Sequence, residues 1–277
     1  MKIIGVTGGK GGTGKSTVST ALAIALAKNA KVLLVDLDVD CPNDHLILNI
    51  KREKIENVYQ RIPKIDPEKC ISCGKCSEAC VTNALVSLKK RPPIFIPLQC
   101  NGCGACEIVC PVKAITWGSK EIGVVFKGKG NGIDFLSGEL KINEPVSEFV
   151  VGAVKKELEK RKDNYDFVII DTAAGTHCDV ISALRACDFT FVITEPTPLG
   201  GHDLKLILLL IEKLGLDSKV VLNRAGEGEE KIISKILENF NKKICAKIPY
   251  SKDIMRSYAN GEPIVHNSIK KIAELVK

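Results

Sequence analysis

The chain has 277 residues, 45% of them hydrophobic and 5% aromatic, with 40 basic and 33 acidic side chains giving a formal charge of +7. That is room for one large domain plus a small one, with a core drawn mainly from Ile, Leu and Val, as in buried parallel strands. Twelve cysteines with no secretory signal at the N-terminus do not suggest a disulfide scaffold; metal-ligating thiolates in a reducing cytoplasm are the better account, and no apolar run is long enough to span a bilayer.

Residues 2–7 read as an apolar strand running into a glycine loop, and a helix follows from Ser16 through Ala21, Leu22, Ala25 and Leu26. Lys31 to Asp36 is a second apolar strand that ends in Asp36, Asp38 and Asp40, which completes a βαβ unit. Regular patterning then gives way to scattered prolines, at Pro63, Pro67, Pro92, Pro93, Pro97 and Pro111, which marks an inserted module over residues 60–120. After it, Val150, Val154 and Leu158 mark a helical face, and a strand from Tyr165 to Ile170 ends at Asp171. Further strands fit 189–194, 219–222 and 247–248, with helices over 204–214, 229–240, 252–260 and 268–277. Strands alternating with helices predict an α/β fold with a doubly wound, mainly parallel sheet. The expected domains are 1–59 and 121–277, which together form the α/β body, with 60–120 inserted between them.

The loop after the first strand reads Gly9, Lys10, Gly11, Gly12, Thr13, Gly14, Lys15 and Ser16, followed by Thr17. It satisfies G-x-x-x-x-G-K-[ST], the phosphate-binding loop, between the strand and helix that the motif requires. Glycines turn N–H groups onto phosphate oxygens and the helix adds its positive end. Lys15 is expected on the β- and γ-phosphates and Ser16 on Mg2+.

The insert carries C-x2-C-x2-C-x3-C twice, as Cys70, Cys73, Cys76 and Cys80, then thirty residues later as Cys100, Cys103, Cys106 and Cys110. Pro67, Gly74 and Ala84 repeat as Pro97, Gly104 and Ala114 at the same interval. This is the run that holds [4Fe–4S] clusters in bacterial-type ferredoxins, so an α+β ferredoxin-like domain with two such clusters is expected. Zinc is the competing reading, but it favours two separated C-x2-C knuckles over four cysteines in one tight run. In a two-cluster ferredoxin the fourth cysteine of each run crosses over. Cys70, Cys73, Cys76 and Cys110 then hold one cluster, and Cys80, Cys100, Cys103 and Cys106 the other. Each loaded cluster carries a charge of about −2, which brings the formal charge to roughly +3 and removes most of the case for nucleic-acid binding. The basic run Lys89, Lys90, Arg91 reads as a solvated turn, or as a docking point for an acidic redox partner.

The second lysine of the loop, Lys10, resembles that of the MinD/Mrp class of P-loop ATPases. The likeness extends through Asp36 to Asp40, Asp171 to Gly175, Asn223-Arg224 and Ile248-Pro249, and so covers most of residues 1–57 and 121–277. The insert's position, Asp40 to Asn43 and Thr194 to Pro198 look like the MinD-type subfamily with an inserted ferredoxin domain. Two departures are Val81, where that motif usually has proline, and Ala173-Ala174, where the class often has proline. The resemblance implies a slow, ATP-dependent homodimeric ATPase in which Lys10 reaches the partner's nucleotide. Asp38 would orient or deprotonate the attacking water and share Mg2+ with Ser16 and Asp171, Gly175 N–H would sense the γ-phosphate, and Asn223 would read adenine. The expected function is ATP-gated electron transfer to a partner protein. Alternatives are a cluster or metallocofactor carrier, and a redox-sensing positioning or regulatory ATPase. Asp36 and Asp40 otherwise read as solvated strand ends, Cys187 and Cys245 as core residues, and Cys41, Cys178, His45 and His177 as idle or structural. The amphipathic end, Ser268 to Lys277, is expected to close the sheet rather than bind a membrane.

Overall fold

The computed structural model describes residues 1–276; Lys277, at the end of the last expected helix, lies outside the described residues. The chain enters through β1 (Lys2–Thr7), α1 (Lys15–Ala27), β2 (Val32–Leu37) and the one-turn α2 (Asp44–Ile47). β3 (Arg52–Ile65) leads to a small unit made of α3 (Lys75–Glu78), β4 (Leu85–Leu88), β5 (Arg91–Phe95) and α4 (Ala105–Ile108). β6 (Ile115–Gly130) returns from it, followed by β7 (Ile133–Leu140), α5 (Glu148–Glu159), β8 (Phe167–Thr172), α6 (Cys178–Leu184) and β9 (Phe189–Thr194). The remainder is α7 (Pro198–Leu214), β10 (Asp217–Ala225), α8 (Glu230–Glu238), β11 (Ile244–Pro249), α9 (Lys252–Asn260) and α10 (Asn267–Glu274).

Among the described residues, one sheet runs β11-β10-β9-β1-β8-β2-β7-β6-β3. From β11 to β7 every pairing is parallel, whereas β6 runs antiparallel to both β7 and β3. Strands covered on both faces must be apolar throughout, and β2 is buried along its whole length. α1 and α10 cover one face around Ile4, Leu22 and Ile272. The other is covered by α5 around Val150 and Leu158, and by α7 and α8 around Leu204 and Ile233. Ile269, Ile272, Ala273 and Val276 are buried while Lys270 and Lys271 face solvent, so the C-terminal apolar face closes a core layer. No helix among the described residues is long and apolar enough to cross a membrane.

The expectation that regular structure lapses after Asp40 needs correction. β3, β6 and β7 form a meander on the edge of the main sheet, and the boundaries expected at 59/60 and 120/121 fall inside β3 and β6. Glu53, Lys54 and Glu56 of β3 are exposed while Val58 and Gln60 are buried, and so many charges on a half-covered edge strand hide its period of two. Pro63 is tolerated because an edge strand needs no further ladder partner there.

The unit between β3 and β6 is internally duplicated. Leu85 pairs with Phe95 in its ribbon, and thirty residues displaced on each side Ile115 pairs with Ile65. Asp66 N–H donates to Ala114 O at 2.7 Å, and its counterpart Ile96 N–H donates to Ala84 O at 2.8 Å. Gly74 (φ 81°) and Gly104 (φ 92°) occupy the left-handed region that glycine enters without cost, and each starts one of the paired short helices α3 and α4.

Candidate functional site

β1 ends buried at Thr7 and hands the chain to the glycine loop, from which α1 departs at Lys15. Gly14 has φ 93°, and a Cβ there would lie 2.2 Å from Asn223 Nδ2. A Cβ on Gly9 would lie 2.3 Å from the Asp203 carbonyl oxygen, so the loop is pressed closely against the first turns of α7. The loop opens on a cleft of about 780 Å³ lined by Gly11, Gly12, Lys15, Ser16, Thr17 and Asp38. Asn223, Arg224, Tyr250, Met255 and Tyr258 complete its wall. The last three, from the β11–α9 region, carry no motif in the sequence.

Ser16 Oγ donates to Asp171 Oδ2 at 2.7 Å, so the hydroxyl and carboxylate expected around Mg2+ already meet. Lys15 Nζ donates to Lys10 O at 3.2 Å. Asn223 Nδ2 donates to Thr13 O at 2.8 Å, and Gly175 N–H to Gly8 O at 3.2 Å, so both expected nucleotide contacts are bonded to the loop itself. Lys10 does not line the cleft; its Nζ meets Glu195 Oε1 at 2.5 Å.

Behind the loop lies a feature that only the structure reveals. Ligand oxygens of Asp36, Asp44 and Asp171 lie within 4.8 Å of one another, all buried. Asp40 is exposed, but Asp36 is only 1% exposed, which corrects its reading as a solvated strand end. It accepts N–H bonds from Asp38 (3.1 Å), Asn43 (3.0 Å) and Asp44 (3.2 Å), and so folds the chain after β2 over itself. Both Asp44 oxygens and Asp171 Oδ1 have no protein partner. Burial pushes the Asp36 and Asp44 carboxyls up, the charge of Asp171 adds to both, and that of Asp36 adds to Asp44. Burial likewise raises Asp171 to about 7, against the pull of Ser16 and Lys15. Asp38, half-buried in the cleft, is also raised by burial, and the Lys15 ammonium opposes the rise. A cation beside Asp171 would stabilise the charged form of these acids.

The eight motif cysteines converge on two separate cavities. One is lined by Cys70, Cys73, Cys76 and Cys110, the other by Cys80, Cys100, Cys103 and Cys106. Backbone N–H groups point at the sulfurs: Gly102 to Cys100 Sγ at 3.4 Å and Ala114 to Cys110 Sγ at 3.2 Å. Burial alone would raise Cys80, but the Thr82 hydroxyl and the N–H groups of Leu85, Ala84 and Thr82 pull its thiol below the ordinary value. Burial pushes Cys106 up to about 11. A tetrahedral zinc with Zn–S bonds near 2.3 Å needs sulfurs about 3.8 Å apart. Among the described residues, no three of these sulfurs lie within 4.8 Å of one another. These sulfurs are therefore not arranged as a single-ion zinc site.

The cavity of Cys100 is the one next to the body. Buried Gln60 donates to Cys100 O at 2.6 Å, and Arg61 donates to Gly102 O at 2.8 Å and Cys103 O at 3.2 Å. The Phe149 ring of α5 lies 3.4 Å from where a Cβ on Gly102 would sit. Cys187 and Cys245 pack against the core, their thiols raised by burial to about 12 and about 11. Cys41 and Cys178 are exposed, His177 precedes α6, and the His45 ring lies tilted to that of Phe135, centroids 6.5 Å apart.

Residues 4–264 match the family model described as the CobQ/CobB/MinD/ParA nucleotide binding domain. An uncharacterized protein of Methanocaldococcus jannaschii is 37% identical over 99% of this chain and 96% of its own length. Two solved structures share the fold. The septum site-determining protein MinD of Pyrococcus horikoshii, complexed with Mg-ADP, has a TM-score of 0.63 at 21% identity over 100% of this chain and 96% of that one. The cell division ATPase MinD of Pyrococcus furiosus has a TM-score of 0.60 at 22% identity, over 99% and 97% of the two chains.

Proposed function

The chain belongs to the CobQ/CobB/MinD/ParA nucleotide-binding family, and on that premise we propose that it is a slow, Mg2+-dependent ATPase whose ATP-driven homodimer governs two [4Fe–4S] clusters that serve electron transfer to a partner protein. In this proposal Lys15 and the loop N–H groups hold the phosphates, Ser16 and Asp171 hold Mg2+ together with Asp38, and Asp38 orients the attacking water. Asn223 and Gly175 exchange their bonds to the loop for bonds to the nucleotide. Cys70, Cys73, Cys76 and Cys110 would hold one cluster and Cys80, Cys100, Cys103 and Cys106 the other. When bound, such clusters supply reversible one-electron transfer.

The observation that carries the reading is continuity between the two sites. Asp38 is followed by Val39, whose carbonyl accepts Leu140 N–H at the end of β7 at 2.8 Å. Leu140 pairs with Gly123 of β6, and β6 runs on to Ile115 at the first cysteine cavity. A shift of the Asp38 loop therefore bears on β6, one of the two strands that flank the cysteine unit.

The test is anaerobic. Iron, acid-labile sulfide and midpoint potential are measured without nucleotide, with ADP and with a non-hydrolysable ATP analogue, in wild type and Lys10→Ala. Two clusters per chain and an ATP-dependent shift of about 60 mV, abolished by Lys10→Ala, are expected; for one electron that is ~1.4 kcal/mol of coupling. Transfer of iron to an apo-acceptor would instead make the protein a carrier. Clusters that neither move in potential nor leave would make it a redox sensor.

A further inference from the structure

The loop's two lysines do different things, and a residue outside the loop separates them. Lys15 enters the cleft, whereas Lys10 is turned out of it and its ammonium meets Glu195 at 2.5 Å. The other oxygen of Glu195 accepts Arg224 Nη1 at 3.2 Å, and Thr197 Oγ1 donates to Oε1 at 3.2 Å. The Glu195 side chain is 7% exposed, against 25% for Lys10 and 52% for Arg224, so the carboxylate is the fixed member of the trio. Its backbone is fixed too: a Cβ on Gly200 would lie 2.4 Å from Glu195 O, and one on Gly8 would lie 2.7 Å from Ile193 O. Gly200 lets the first turn of α7 close on Glu195, and Gly8 lets the chain entering the phosphate loop approach the end of β9.

One carboxylate here faces two cations, and one of them, Arg224, lines the cleft. A nucleotide polyphosphate is the stronger anion and competes with Glu195 for Lys10. We propose that Glu195 is a positioning residue that holds Lys10 out of its own chain's cleft, so that the lysine reaches a nucleotide held by a second copy only when this ion pair opens. The inference rests on the ATP-driven pairing of the preceding section and adds the element that sets its threshold. Glu195 keeps Arg224 when Lys10 leaves, so opening the pair does not strand a buried charge, which would be costly.

The experiment follows self-association by sedimentation velocity as a non-hydrolysable ATP analogue is titrated into wild type, Glu195→Gln, Lys10→Ala and the double variant. Glu195→Gln keeps the side-chain shape and removes the charge, and is expected to lower the analogue concentration at half-association about three- to ten-fold. Lys10→Ala raises that concentration, and in its background Glu195→Gln adds nothing, because the partner it releases is gone. Glu195→Asp, one methylene shorter and still charged, shifts the midpoint in the same direction as Gln and serves where the Gln protein does not fold. A midpoint raised as in Lys10→Ala, an unchanged midpoint, or a full effect of Glu195→Gln without Lys10 would each overturn the assignment while pairing itself stands. Wild type that stays monomeric at saturating analogue overturns the pairing and this inference together.

Discussion

Replacing Gln60 with Leu tests how the second cysteine cavity is held to the body. Gln60 lies on β3, is 1% exposed and donates its amide to Cys100 O at 2.6 Å. Leu fills nearly the same volume, so packing is preserved while the donor is lost. The hydrogen bond contributes about 1 kcal/mol net, and a buried carbonyl left without a donor costs about 1–3 kcal/mol in all. The loss is local, because Arg61 still tethers Gly102 and Cys103. At about 1.4 kcal/mol per factor of ten, amides of residues 100–107 are expected to exchange roughly 5- to 150-fold faster. Hydrogen–deuterium exchange by mass spectrometry reads this directly, with the equivalent loop at 70–77 as an internal control. Equal acceleration of both loops would mean that Gln60 supports the whole unit, and no acceleration would mean that water replaces it; either refutes the reasoning.

Two further predictions concern the nucleotide side. Gly9→Ala places a Cβ 2.3 Å from Asp203 O, a backbone atom that cannot swing away, whereas a Cβ on Gly11 meets nothing within 4 Å. Gly9→Ala should therefore cost about 1–3 kcal/mol, lower the melting temperature by several degrees and weaken ATP binding at least tenfold, with Gly11→Ala close to wild type in melting temperature; equal melting curves would refute the packing argument. The acids behind the loop set a pH dependence. Burial raises Asp171 to about 7, and Asp36 and Asp44 also lie well above 3.8, so between about pH 4 and 7 the folded nucleotide-free protein binds more protons than the unfolded chain. These groups stabilise the fold below that window, and their contribution is lost as pH rises through it. Mg-nucleotide should displace a proton near pH 6.5, seen as a buffer-dependent binding enthalpy in calorimetry. A urea midpoint at which removing these acids (Asp44→Asn) leaves the pH 5 to 7 slope unchanged would contradict this.

What the sequence made legible was whatever carries its chemistry in a fixed local spacing. The loop from Gly9 to Ser16 sits between an apolar strand and a helix, and β8 is apolar from Phe167 up to Asp171. In the cysteine repeat, local spacing places three of the four cysteines at each cavity, and the fourth, Cys110 or Cys80, comes from the other run. Asp44 carries no such mark and Glu195 lies in a stretch that only a resemblance singled out, since each acquires its role from residues far away in sequence: Asp171 for the first, Lys10 and Arg224 for the second. Asp36 was legible as a strand-end acid but not as a buried one. Its burial depends on the 38–44 segment folding back to supply three N–H donors, which no periodicity encodes. The β3–β6–β7 meander was missed because edge strands are half solvent-facing and their charges mask the apolar face.

That meander also sets the mechanical scale of any coupling. The β3–β6 ribbon has register shifts between Lys54 and Glu56 and between Val58 and Tyr59, bulges of the kind that bend a strand. Beyond them the ribbon runs unbroken from Tyr59 paired with Glu121 to Ile65 paired with Ile115. At about 3.3 Å per residue it forms an arm of roughly 20 Å between the bend and the cysteine cavities. A rotation of about 5° at the bulges displaces the far end by roughly 2 Å, while the bonds of Gln60 and Arg61 make the nearer loop move with the arm. The bend adjoins Ile122 and Gly123, the residues that meet β7 where Val39 holds it beside Asp38. If the coupling proposed above operates, the bulges are where a change at the nucleotide would bend the ribbon and so move the cysteine unit.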